Sequence, residues 1–226
     1  MRWITQIPRT ARRNAWAAAL LCCSTAACAQ PDAGAVYVID PQHTRVHWEV
    51  MHFGTYTSRG WFDDIEGQIR WSAATGQGAV SISVGTASVN TGVGPLNAML
   101  RGDLFLQSAA HTRAEFVARD FRTTFRPTSG APHALHSAVG EHTQHSAMGE
   151  VTLHSVVGEL TLRGQSLPLT LVATRFQCAP HPVHQRELCG GDFEALLQRS
   201  DFGITYGLPL VANRVRLVIQ IEALRQ

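Results

Sequence analysis

The sequence predicts an all-β protein, a sandwich or a barrel, and three observations carry that expectation. Apolar and polar residues alternate with period two in run after run, as in strands that bury one face. Short clusters of Gly, Asp, Asn, Pro and Ser separate the runs at regular spacing, as hairpin connections require. Helical spacing is confined to one short stretch, Leu96 to Leu106.

The first predicted strand is Val36-Tyr37-Val38-Ile39, ended by Pro41. In the second, Val46, Trp48, Val50 and His52 share one face, and Arg45, His47 and Glu49 share the other. Phe53 to Ser58 read as a turn, Gly60-Trp61-Phe62 as the returning strand and Asp63-Asp64 as a turn. Ile65, Gly67, Ile69 and Trp71 then keep one phase, and residues 73–78 make a hairpin connection. Val80, Ile82 and Val84 alternate with Ser81 and Ser83. Gly92 to Pro95 break the pattern. Leu96, Met99, Leu100 and Leu104 then predict one short helix, weakened by Gly102. Strand resumes over Ala114 to Phe121, with Phe116 on the apolar phase.

Three tandem nonapeptides follow, starting at His136, His145 and His154. Three short copies are too few for a solenoid. An odd period also inverts the buried face on each pass, so only one copy can keep the core register. The third, ending Leu160-Thr161-Leu162, is the most apolar. The others read as an expansion of a loop over residues 127–153. His133, His136, His142, His145 and His154 cluster there. That cluster is either a solvated duplicated loop or a metal buffer. After the turn at Arg163 to Ser166, a strand runs from Leu167 through Leu169 and Leu171 to Phe176. Residues 178–189 read as a polar loop. Phe193, Ala195 and Leu197 alternate in the next strand, and Val215, Leu217, Ile219 and Ile221 in the last.

Residues 1–29 read as a secretory leader. Arg2, Arg9, Arg12 and Arg13 precede a short apolar run, and Ala27-Cys28-Ala29 is a small-residue cleavage site. Arg12-Arg13 also fits a twin-arginine signal, and Cys28 a lipidated cysteine, although Thr25 stands where an aliphatic residue is preferred. Removing the leader takes four of 19 basic residues and none of 17 acidic ones, leaving a net charge of −2. No basic patch suggests nucleic acid. The remaining residues, 30–226, are enough for one domain with a sizeable core. The protein is expected in the periplasm or outside the cell. Of five cysteines, Cys178 and Cys189 survive cleavage, and two cysteines in an exported domain most often pair.

Several ordered motifs then carry a family resemblance. They are Tyr37-x-Ile39-Asp40-x3-Thr44-x-Val46, His52-Phe53-Gly54, Gly60-x-Phe62, Ser88-x2-Thr91 and Leu100-x4-Phe105-Leu106. Further on stand Gly158-x-Leu160-Thr161-Leu162-x-Gly164 with Pro168, Cys189-Gly190, and Arg199-Ser200-Asp201-Phe202-Gly203. In this order, over nearly the whole mature chain, they resemble the YceI-like family of exported lipid-binding proteins. The resemblance implies an extended lipocalin-like antiparallel barrel of about eight strands. It also implies a polyisoprenoid chain, a quinone tail or a polyprenyl lipid, in an apolar tunnel. Such a protein is a carrier, store or stress-related binder, not an enzyme, and needs no cofactor beyond the bound lipid. Contact with a membrane is expected to be transient.

An isoprene unit buries roughly 100 Å² of apolar surface, worth about 2 kcal/mol before ordering costs. The expected site is therefore a band of residues in phase: Val46, Trp48, Val50, Phe62, Ile69, Val80, Ile82, Phe116, Leu160, Leu169, Leu171, Phe193, Leu197, Leu217 and Ile219. Each is either ligand contact or simple core. His52 either hydrogen-bonds a head group or is satisfied by backbone at the rim. Arg199 and Asp201 either anchor a head group or form an ion pair that holds the final turn. Two other classes compete. Ser200 and His52 are residue types of a hydrolase, without a Gly-x-Ser-x-Gly elbow. Cys178, His181, His184 and Cys189 are zinc-ligand types in no tight structural pattern. A scaffold protein with a filled core and no ligand is the third alternative.

Overall fold

The computed structural model describes residues 34–226 apart from 73, 123, 127–149, 154 and 184. The expected leader and the five clustered histidines lie outside the described residues. The strands are β1 (Ala35–Ile39), β2 (Arg45–His52), β3 (Tyr56–Phe62), β4 (Ile65–Trp71), β5 (Gln77–Gly85) and β6 (Val89–Asn90). Helix α1 (Gly94–Arg101) follows, then β7 (Arg113–Arg122), β8 (Thr124–Arg126), β9 (Glu150–Thr152) and β10 (Ser155–Leu162). The chain ends with β11 (Gln165–Pro180), β12 (Glu187–Gln198) and β13 (Val211–Arg225).

Eight strands close a ring of antiparallel pairs in the order β1, β4, β5, β7, β10, β11, β12, β13 and back to β1. The fold is a barrel, not a sandwich. Closure leaves no free edge in the ring. Strands β2, β3 and β6 branch from it, with β2 also paired to β13. One edge of β13 therefore serves two partners: Val211 to Gln220 run beside β2, and Ala223 to Arg225 beside β1.

Between those partners the chain turns a corner at residues 40–44, where Pro41 cannot continue β1. The ladder is completed there by other groups. The Asp40 N–H donates to the Glu222 carbonyl at 2.8 Å. The Glu222 N–H donates to the hydroxyl oxygen of Thr44 at 3.1 Å. Thr44 is fully buried, so its hydroxyl stands in for a missing strand carbonyl.

Alternation sets the inner face as expected, and four large rings fill it where a neighbouring residue has no side chain. A Cβ added at Gly60 would collide with the Trp48 ring, at Gly78 with Phe121, at Gly158 with Phe116 and at Gly191 with Phe193. Glycine in a strand often marks such a close approach.

Three expectations change. The helix covers Gly94–Arg101 instead of reaching Leu106, because Pro95 suits the first turn and Gly102 ends it in an extended conformation. The polar loop expected at 178–189 shrinks to residues 181–186, because β11 and β12 continue to Pro180 and from Glu187. The loop expected at 127–153 ends in β9, which pairs with β8 in a separate two-stranded sheet. The third repeat copy supplies β10, with Val156 buried and Val157 facing out.

Cys178 and Cys189 face each other across β11 and β12 and form a disulfide, with Cα atoms 4.1 Å apart. The bond ties one end of the barrel.

Thr44→Val keeps the shape but strands the Glu222 N–H, so it should cost about 1–3 kcal/mol in urea unfolding. A loss below about 0.5 kcal/mol would mean that the hydroxyl is dispensable. The double variant Cys178→Ser/Cys189→Ser should lose about 2–3 kcal/mol, with a matching loss when the native protein is reduced.

Candidate functional site

Among the described residues two cavities stand out, and they share no lining residue. The larger, at the β2 end, has a volume of about 190 Å³. The smaller, at the disulfide end, has about 40 Å³. The apolar space described inside the barrel thus falls into two parts.

The inward alternation of each strand feeds both. Val46, Trp48 and Val50 of β2, Phe62 of β3, Leu160 of β10, Leu197 of β12 and Leu217 of β13 line the larger cavity. Ile69 of β4, Val80 and Ile82 of β5, Leu171 of β11 and Phe193 of β12 line the smaller. Phe116, Leu169 and Ile219 line neither; all three are buried in the main core cluster. Register places two of them between the cavities. Phe116 is flanked by Ile82 and Leu160, and Ile219 by Phe193 and Val46. In each case one neighbour faces the smaller cavity and the other the larger.

Some lining residues escaped the sequence reading. Val84, Leu162, Val215 and Ile221 share the phase of residues already named, so alternation could have found them. Leu100, Phe105, Leu106 and Ile204 come from α1 and from loops. No strand period marks those, because the irregular chain brings them over the barrel mouth. With Val89 they form a second, smaller apolar cluster there.

No polar atom faces the larger cavity, although Arg199 is among its lining residues. The expected Arg199–Asp201 ion pair is absent. Arg199 is only 5% exposed, and its guanidinium is spent on backbone. Its Nε donates to Ala212 O at 2.9 Å and its Nη2 to Val211 O at 2.9 Å. Its Nη1 donates to Ile204 O at 3.1 Å and to Tyr206 O at 2.8 Å. Among the described residues no carboxylate pairs with it, and burial holds its pKa below the usual arginine value. The turn that presents it, Arg199–Phe202, is closed by Gly203 in the left-handed region. Asp201 instead stays exposed and accepts from the Ser200 hydroxyl at 3.4 Å.

His52 lines neither cavity. Its ring packs against Phe53 and Tyr56, with centroids 4.3 and 5.0 Å away. Its Nδ1 is buried without a hydrogen-bond partner among the described residues, so backbone does not satisfy it. The chemistry of the other candidate sets is accounted for locally. The Ser200 hydroxyl also accepts from Asn213 Nδ2 at 2.8 Å. The thiols of the competing zinc set are bonded to each other, as expected of two cysteines in an exported domain, His181 Nδ1 accepts from the Val183 N–H, and His184 lies outside the described residues. Asp40, His43 and Glu222 do cluster at the corner. The Asp40 hydrogen bond raises the His43 pKa, and His43 lowers that of Asp40.

An apolar rim surrounds the β2 end. Phe53, Tyr56, Tyr206, Leu210 and Leu104 are each more than half exposed. The Phe53 N–H donates to Leu210 O at 2.7 Å, and Tyr206 packs on Phe105, which lines the larger cavity. Among the described residues no helix is long and apolar enough to cross a membrane.

Arg199→Met should strand four backbone carbonyls beside the cavity and cost at least about 3 kcal/mol in urea unfolding. Arg199→Lys should recover only part of this, because an ammonium cannot reproduce the planar fork. Equal stability of Met and Lys variants would contradict the clamp.

The comparisons with known proteins agree with this geometry. The YceI-like domain matches residues 37–223. A UPF0312 protein of Ectopseudomonas mendocina (strain ymp) is 28% identical over 193 residues, 84% of this chain and 87% of that protein. A UPF0312 protein of Azotobacter vinelandii is 26% identical over the same shares. Among solved structures, BcnA of Burkholderia cenocepacia superposes with TM-score 0.56 at 16% identity, over 81% of this chain and 98% of that one. A polyisoprenoid binding domain from Saccharophagus degradans, implicated in plant cell wall breakdown, gives 0.53 at 13% identity, over 84% and 98%. These likenesses share the barrel fold, and the domain match spans most of the sequence: the chain belongs to the YceI-like family.

Proposed function

We propose that this protein is a lipid-binding barrel that takes the apolar chain of an isoprenoid, a polyprenyl lipid or quinone tail, into its larger cavity. The observation that carries this reading is the cavity wall itself. About 190 Å³ is left unfilled, in an interior that folding would otherwise pack to crystal-like density. No polar atom lines it, which suits hydrocarbon and gives a head group nothing to bind inside. The head group stays outside, at the rim of Tyr56 and Tyr206. The same rim offers a surface for brief contact with a bilayer, where a donor lipid resides. The likeness to a polyisoprenoid binding domain supports the ligand class. The leader-like residues 1–29 support export, and carriage or storage fits the site better than catalysis.

Organic extraction of the purified protein, followed by mass spectrometry, should release an isoprenoid lipid in near-stoichiometric amount. Leu217→Arg, which drives a charge into the cavity wall, should abolish it while the barrel stays folded by circular dichroism. Lipid retained in that variant at the wild-type level would place the ligand elsewhere.

A further inference from the structure

By register, side chains stand between the two cavities, and one of them is a ring. Phe116 lies between Ile82, on the smaller cavity, and Leu160, on the larger. Its ring edge is where the side chain of residue 158 would stand: a Cβ on Gly158 would be 2.5 Å from the Phe116 Cζ. Ile219 sits at the corresponding level between Phe193 and Val46. Gly158, which pairs with Leu169, lets the phenyl group lie over the β10 backbone at this level.

Volume then limits what fits. An apolar cavity of about 150 Å³ takes up benzene, six carbons. A cavity of about 190 Å³ therefore holds roughly one to two five-carbon isoprene units. The space beyond the waist, about 40 Å³, holds none.

We propose that Phe116 is the specificity-determining residue that gauges chain length: it stops the hydrocarbon at the waist, so that the site reads a short isoprenoid segment and leaves any longer tail outside. This rests on the lipid-binding function proposed above and goes beyond it by fixing how much of the chain is recognised. Removing the ring joins the cavities into one tunnel.

The test is a titration of geraniol, farnesol, geranylgeraniol and solanesol into delipidated protein, followed through the emission of Trp48 in the cavity wall and by calorimetry. In the wild type, affinity should already have levelled off at geraniol, whose ten carbons fill the larger cavity. In Phe116→Ala it should keep rising beyond ten carbons, with farnesol bound at least about tenfold tighter than geraniol. Phe116→Leu, which keeps more of the core volume should the alanine variant not fold, should favour farnesol over geraniol in the same direction, by about threefold. Wild-type affinity that climbs with every unit to solanesol, unchanged by either substitution, would overturn the gauge and leave the carrier reading intact. Folded protein that binds no prenyl alcohol in any variant would overturn both.

Discussion

The barrel depends on one shared edge. Strand β13 offers a single row of N–H and C=O groups to two different strands, and the row is continuous only because a side chain completes it. Where β1 has ended and β2 has not begun, Thr44 gives Glu222 the acceptor that a strand would have given. A buried N–H without a partner costs about 1–3 kcal/mol, so this corner holds closure together. Closure in turn creates an inside: β1 joins the ring that surrounds the smaller cavity, and β2 carries the wall of the larger one past the ring.

A closed ring of this size could have been filled by its own side chains. What keeps it partly hollow is where the bulk is placed. Rings at Phe116, Phe121 and Phe193 spend their volume over bare glycine backbone near the disulfide end and the waist. Toward β2 the lining is mostly Val and Leu, with Phe62, Phe105 and the Trp48 ring, the last laid against Gly60. The mouth is then held in shape by Arg199, which gathers four carbonyls of the chain between Ile204 and Ala212. A cation with no carboxylate partner is costly to bury, and here the carbonyl dipoles of a loop that must lie over an apolar cavity offset that cost.

The outer face follows the opposite rule. Arg216 bridges Glu49 at 3.0 Å and Glu194 at 2.5 Å across three adjacent strands, and Arg59 holds Glu49 at 2.7 Å. The Arg59 hydrogen bond, joined by Arg216, lowers the Glu49 pKa. These exposed pairs contribute little stability each. Their use is in register: a one-residue slip of β2 would turn Glu49 inward and Trp48 to water.

By itself the sequence determined the strands, their inward faces and the class of the fold. A period of two is a local property, and a strand cannot satisfy it in any other register. Val46 to Val50 and Val215 to Ile221 were legible for that reason. Cys178 and Cys189 were legible because only these two of the five cysteines fall within residues 30–226. Tertiary structure decided the rest. Alternation says that Phe116 and Leu217 both point inward, but not that one closes the waist while the other faces empty space; that depends on Gly158, forty-two positions along the chain from Phe116. It likewise cannot show that Arg199 abandons Asp201 for four carbonyls, or that Leu100 and Phe105 cover the mouth. Those are long-range matters of volume and hydrogen-bond supply, settled only when the ring closes.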